Sequence, residues 1–286
     1  MAIVLDNITY TYGVGTPFEK TALHGVSLTV ENGEFLGIIG HTGSGKSTFV
    51  QHLNGLLHPT TGTVTVNGVD ISASTEEAKK MRHKVGMVFQ YPEHQLFEET
   101  IAEDIAFGPK NLGLSADEVD ERVREAMKFV GLDYDTYAER SPFHLSGGQM
   151  RRVAIAGVVA MDPDFLVLDE PSAGLDPFGR EEIFEEIIRL HKEKGITVIL
   201  VSHNMEDISR MASRLVVLDK GRIVLDGEPM DIFNNHRDAL QAVGVDVPPV
   251  SVTMEYLREQ GINVSNRVLS VDDAVQAILE GGSHVK

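Results

Sequence analysis

The sequence contains no cysteine. That excludes a disulfide framework, a thiolate metal site and a cysteine nucleophile. No apolar run approaches the roughly 18 residues that span a bilayer. The longest runs, such as Val153–Met161 and Ile196–Val201, are the size of core elements. The first residues, Met1-Ala2-Ile3-Val4-Leu5-Asp6, lack a basic segment and a long apolar stretch, so no signal peptide is expected. Positive charge is scarce. The 286 residues hold 25 Lys and Arg against 43 Asp and Glu, a formal net charge of −18. A chain this acidic is poorly equipped to hold bare DNA or RNA, whose phosphates are neutralised by Lys and Arg.

What is present suits a globular chain. With 42% hydrophobic residues it can bury a sizeable core and is not a disordered acidic tail. Its length suggests one large domain, or one large and one small. Alternation predicts strands over Ile3–Tyr12 and Leu23–Val30, and again over Thr63–Asn67. Short apolar runs at Phe35–Gly40, Val85–Phe89, Phe165–Leu168 and Thr197–Val201 read as buried strands. Helical spacing marks Lys46–Leu57, Ala116–Val130, Gln149–Met161 and Glu181–Lys194. Leu215–Asp219 and Arg222–Leu225 read as a hairpin through Lys220-Gly221. After about Asn235 the pattern weakens, with a break at Val247-Pro248-Pro249-Val250 and helices near Val252–Gln260 and Val271–Leu279.

The segment Gly40-His41-Thr42-Gly43-Ser44-Gly45-Lys46-Ser47, followed by Thr48, matches G-x-x-x-x-G-K-[ST] between a predicted strand and a predicted helix. Glycines let the backbone curl so that several N–H groups face phosphate oxygens, and the helix N-terminus adds partial positive charge. Lys46 would reach the β- and γ-phosphates and Ser47 would ligate Mg²⁺. Phe35–Gln51 carries a single charge, Lys46, in an otherwise acidic chain.

Phe165-Leu166-Val167-Leu168 ends in Asp169-Glu170. Ligands sit at the carboxyl ends of strands in open α/β sheets. Asp169 is placed to hold Mg²⁺ and Glu170 to act as general base on water.

Leu145-Ser146-Gly147-Gly148-Gln149 resembles the signature motif of ATP-binding cassette (ABC) ATPases. The resemblance covers roughly residues 3–233. It implies an α/β P-loop NTPase cassette with an antiparallel β-subdomain, a RecA-like parallel-sheet core and a helical subdomain over about 92–161. It implies ATP and Mg²⁺ as ligands, and a head-to-tail dimer in which Leu145–Gln149 serves the ATP of the facing subunit. Tyr12 resembles the aromatic that stacks on adenine. Gln90 resembles the Q-loop glutamine that senses Mg²⁺ and water. Asp176, in Ser172-Ala173-Gly174-Leu175-Asp176, resembles the D-loop aspartate that touches the other subunit. His203 resembles the switch histidine at the γ-phosphate. The catalytic set so implied is Lys46, Gln90, Glu170 and His203, with Ser47, Gln90 and Asp169 around the metal.

Gln90-Tyr91-Pro92-Glu93-His94-Gln95-Leu96-Phe97, the run Thr100–Gly113 and Gln149–Gly157 resemble the ATPases of energy-coupling factor (ECF) transporters, related to cobalt-importer cassettes. So does the insertion Gly15–Glu19 after Tyr12, and together these segments resemble the second of that family's two paralogous ATPases more than the first. The resemblance implies a heterodimer with the paralogue at the cytoplasmic face of the membrane. A transmembrane coupling protein and, through it, a substrate-binding membrane protein would complete a vitamin or transition-metal importer. Residues 1–235 would form the nucleotide-binding domain and 236–286 a C-terminal extension. An ordinary small-solute importer ATPase is the nearer alternative, and a soluble ATPase acting on DNA or ribosomes the remoter one.

Residues 90–140 hold thirteen acidic and five basic side chains. Leu96, Phe97, Ile101 and Ile105 stand among Glu93, Glu98, Glu99, Glu103 and Asp104. This predicts an apolar groove with an acidic rim that receives a basic membrane partner. A core helix with a solvated acidic face is the other reading of the same residues.

Overall fold

The computed structural model describes residues 1–282. The chain opens with β1 (Ala2–Tyr12), β2 (Lys20–Glu31), β3 (Phe35–Ile39), α1 (Lys46–Leu53), β4 (Thr61–Val66), β5 (Val69–Asp70), α2 (Glu76–His83) and β6 (Val85–Val88). A 3-10 turn at Pro92–Gln95 leads to α3 (Ile101–Asn111), α4 (Ala116–Phe129), α5 (Tyr134–Tyr137) and α6 (Gly147–Val159). Then come β7 (Phe165–Asp169), α7 (Pro177–Lys194), β8 (Thr197–Val201), α8 (Met205–Met211), β9 (Arg214–Asp219) and β10 (Arg222–Gly227). The chain closes with α9 (Pro229–Asn235), α10 (Arg237–Ala242), α11 (Pro249–Glu259) and α12 (Val271–Gly282).

Two sheets organise these elements. One is antiparallel, in the order β2-β1-β4-β5. The other runs β10-β9-β3-β8-β7-β6 and is parallel apart from β10. Every residue of β3, β7 and β8 is buried, as expected of parallel strands covered on both faces. Successive side chains of a strand point to opposite faces. Leu166, Leu168, Val198 and Leu200 therefore join one core with the helices, while Phe165, Val167, Ile199 and Val201 join a second core with the antiparallel sheet. The parallel sheet is the wall between two hydrophobic layers.

Local signals set the helix ends. Ser146 and Gln149 form a reciprocal capping box, so α6 starts at Gly147 rather than Gln149. Asp176 caps α7, with Pro177 in its first turn, and Gly195 closes it at φ +65°. Gly55 at φ +75° stops α1 short of Leu57. The short helices α2, α8, α9 and α10 carry too few turns for periodicity to mark them. Thr75 and Asn204 cap the first two.

The groove expected over 91–107 does not form. Ile101 and Ile105, four residues apart on α3, share a face that packs into the main core, and Leu96 is buried beside them. Glu93 turns inward to Arg151. An exposed edge-to-face pair remains, Phe97 and Phe107, with ring centroids 4.9 Å apart. Glu99 and Glu103 lie exposed in the same stretch.

Beyond Asn235 the chain stays attached to the large core through Leu240, Val245 and Leu269. Met254, Val264, Val268 and Ala274 form a separate small cluster. Among the described residues no helix is long and apolar enough to cross a membrane.

Candidate active site

The parallel sheet places its chemistry along one edge. The loop Gly40–Gly45 follows β3, Asp169 ends β7, His203 follows β8 and Gln90 follows β6. These strands stand in the order β3-β8-β7-β6, so their carboxyl ends form a row. All these residues except the buried Ser44 line one open cleft of about 1020 Å³.

The loop has the shape of an anion cradle. A Cβ on Gly40 would lie 2.3 Å from the Leu218 carbonyl oxygen, so only glycine fits there. Gly43 and Gly45 take φ of +84° and +107°, values that L side chains rarely adopt. Gly45 ends the loop as the N-cap of α1 without a side-chain hydrogen bond, and no acid occupies the first turn. Ser44 Oγ is buried and has no hydrogen-bond partner among the described residues. Both features suit an anion held by N–H groups.

Lys46 Nζ donates to the Gly40 and His41 carbonyls at 2.6 and 3.1 Å. Burial pulls its pKa down, opposed by Glu170 and Asp169. Burial pushes the Asp169 carboxyl up, opposed by a hydrogen bond from the Ser47 hydroxyl and by Lys46. Burial also pushes Glu170 up, opposed by its hydrogen bond with His203. Glu170 stands at φ +52°, with its N–H donated to the Val201 carbonyl at 3.0 Å. A non-glycine residue held there costs on the order of 1–3 kcal/mol, which the surrounding structure must offset.

Ser47, Asp169 and Gln90 offer oxygen donors with a single carboxylate between them. Such a set fits Mg²⁺, which is held by one or two carboxylates together with substrate phosphates and water. Among the described residues no three His, Asp or Glu side chains cluster into an all-protein cage.

Tyr12 reaches the same cleft. Its hydroxyl lies 3.1 Å from Thr48 Oγ1, and its ring meets Tyr10 edge-on, with centroids 4.8 Å apart. The remaining expected residues lie elsewhere. Ser146, Gly148 and Gln149 line a different cavity, beside Gly179 and Glu182. The side chains of Ser146 and Gln149 cap each other, and that of Asp176 caps α7 through Gly179 N–H at 2.7 Å. The cleft thus contains no part of Leu145–Gln149.

The cleft also has lining residues that motif reading missed, among them Lys20, Lys220, Gly244, Val245 and Asp246. Lys220 shows in sequence only as a hairpin turn, and Lys20 lies outside the strand expected over Leu23–Val30. His41 Nε2 lies 2.9 Å from Asp219 Oδ1, which ties the loop to the end of β9.

The ABC transporter family profile matches residues 23–173, more than half of the chain. The protein belongs to the ABC transporter family. This cassette is 54% identical over 280 residues to the energy-coupling factor transporter ATP-binding protein EcfA2 of Clostridium tetani, covering 98% of this chain and 97% of that one. It is 51% identical over 292 residues to the protein of the same name from Bacillus cereus. It therefore belongs to the energy-coupling factor ATP-binding proteins within the family. Among solved structures it resembles CbiO1 of Clostridium perfringens, part of the ABC transporter complex cbiONQ. That match has a TM-score of 0.73 and 36% identity and covers 88% of this chain. It also resembles a dimeric cassette bound to ADP and Pi, with a TM-score of 0.70, 32% identity and 79% of this chain covered. The cassette's mixed α/β architecture is that of these neighbours.

Proposed function

We propose that this chain is the ATP-hydrolysing subunit of an energy-coupling factor importer, the counterpart of the second of its two paralogous ATPases. One observation carries the reading: Lys46, Ser47, Gln90, Asp169, Glu170 and His203 converge on one cleft, while Ser146 and Gly148 face another. A cleft that lacks Leu145–Gln149 calls for a second cassette to supply that motif. The paralogous ATPase is that partner, and two nucleotides lie between the pair.

In this reading Tyr12 stacks on adenine, and the backbone of Gly40–Gly45 with Lys46 and Thr48 holds the phosphates. Ser47, Asp169 and Gln90 would hold Mg²⁺, which when bound would neutralise phosphate charge. Glu170 takes the proton of the attacking water, and burial raises its affinity for that proton above that of an ordinary carboxylate. His203, hydrogen-bonded to Glu170 at 2.7 Å, orients it towards the γ-phosphate. Ser146 and the N-terminus of α6 meet the γ-phosphate bound to the partner, and Asp176 lies at the pair's contact.

Transport needs a path this chain does not supply, since none of its described helices can span a membrane. A transmembrane coupling protein seats the cassette on the cytoplasmic face, and a substrate-binding membrane protein delivers a vitamin or transition-metal ion. The exposed Phe97–Phe107 pair, with Glu99 and Glu103, offers the contact for basic coupling helices. Residues 1–235 act as the nucleotide-binding domain, with 92–161 as its helical subdomain and 236–286 as the extension.

Glu170→Gln in the assembled complex tests the reading. ATP binding should persist while turnover falls by ~10²-fold or more, the size of a general-base contribution. Unchanged turnover would remove Glu170 from the mechanism.

A further inference from the structure

Among the described residues Arg151 is the largest fully buried side chain, at 2% exposure. A buried charge is costly unless it is paired and hydrogen-bonded. The guanidinium meets both conditions by joining three separate segments. From α6, its Nε and Nη2 donate to the Glu93 carboxylate at 3.2–3.3 Å. Nη1 donates to the Pro171 carbonyl at 2.9 Å and Nη2 to the Ala173 carbonyl at 2.8 Å.

Each of these contacts sits next to the chemistry. Glu93 lies in the 3-10 turn that follows Gln90. Pro171 and Ala173 form the turn that follows Glu170, and Ala173 N–H closes that turn on the Glu170 carbonyl at 3.1 Å. Arg151 itself stands one turn into α6, the helix that Ser146 caps. Tyr91 and Glu170 both hold left-handed backbone, at φ +57° and +52°. Two strained positions on separate loops therefore share one guanidinium as their common support.

The geometry points to Arg151 as a positioning residue for hydrolysis: its guanidinium holds the segment after Gln90 and the turn carrying Glu170 in one register with the signature helix. This rests on the ATPase reading above. The planar fork is what the position needs. It reaches a carboxylate and two carbonyls in different directions at once, whereas a lysine ammonium is a point charge on a flexible stem. Movement of the Glu93 turn, which leads straight to the exposed Phe97, would reach Glu170 through two hydrogen bonds.

The test uses the assembled transporter with three variants: Arg151→Lys, Glu93→Gln and the pair together. Steady-state ATPase and thermal unfolding are measured for each. Arg151→Lys should lower kcat by ~10- to 10²-fold, the effect of a small misplacement of a catalytic group. KM for ATP should stay within about twofold, because Arg151 does not line the cleft and so does not bind the nucleotide itself. Glu93→Gln, nearly isosteric, should lower kcat in the same direction, and the double variant should be no slower than the slower single. Unchanged kcat in Glu93→Gln overturns the proposal, whether or not Arg151→Lys folds. So does a rise in KM that matches the fall in kcat, which would mark a merely structural ion pair. If the wild-type complex hydrolyses no ATP, or Glu170→Gln equals wild type, the ATPase reading fails instead.

Discussion

His203 Nδ1 lies 2.7 Å from Glu170 Oε2, yet the two residues sit at the ends of different strands, 33 residues apart. The His203 side chain is 78% exposed and that of Glu170 only 13%. The histidine is the solvent-side support of a half-buried carboxylate. Removing it in His203→Ala leaves Glu170 without its side-chain partner. Turnover of the assembled complex should fall ~10²-fold or more, within the range of acid–base contributions. KM for ATP should change little. Steady-state kinetics separate the two, and a KM effect alone would place His203 in binding rather than catalysis.

Tyr12 presents a ring fixed by Thr48 and Tyr10. Tyr12→Ala should weaken ATP binding roughly tenfold, the equivalent of about 1.4 kcal/mol, as expected for one aromatic contact. Fluorescent-nucleotide titration measures this, and kcat at saturation should hold. Equal affinity would move the base away from this ring.

Ser146 faces away from its own chain's cleft. Ser146→Phe should therefore leave nucleotide binding at this chain's Lys46 loop intact while blocking closure on the paralogue. Crosslinking across the pair with ATP reports closure. Loss of binding at the chain's own loop would contradict a site shared between subunits.

Glu186, on α7, gives a stability prediction with a pH sign. Its Oε1 lies 3.5 Å from Arg152 Nη1, and its Oε2 is buried without a partner among the described residues. Burial pushes its carboxyl up from 4.5 to about 7, opposed by Arg152 and Arg189. The folded chain therefore holds this proton more tightly than the unfolded chain. The stabilisation is full below the unfolded value of 4.5 and is lost as pH rises through about 7. Glu186→Gln mimics the protonated form. It should match wild type in melting temperature near pH 5 and exceed it near pH 8, by roughly 2–4 °C per kcal/mol recovered. A lower melting temperature at pH 8 would show that the Arg152 pairing outweighs burial.

Much of the fold was legible because its signals are local. The buried runs of β3, β7 and β8 announce a covered parallel sheet, and Ser146–Gln149 announce a helix start. The 91–107 stretch was harder, because apolar residues look alike whether they face a partner or the core. Helical spacing in α3 sends Ile101 and Ile105 inwards, and only packing reveals that Phe97 and Phe107 stay out. Lys20, Lys220 and Asp246 reach the cleft from strands and loops that carry no motif of their own.

The opening scarcity of basic residues also takes on a sharper meaning. Arg151 is buried where α6 meets two loops rather than spread on the surface. By itself the sequence determined the phosphate loop, the strand-end carboxylates and the family signature, because each is contiguous and dictated by local backbone geometry. Tertiary structure alone decided which of these share a cleft, that Leu145–Gln149 stands apart from it, and that Glu93 and Arg151 meet across 58 residues. Such pairings depend on how sheets and helices stack. No local periodicity encodes the direction in which a side chain finds its distant partner.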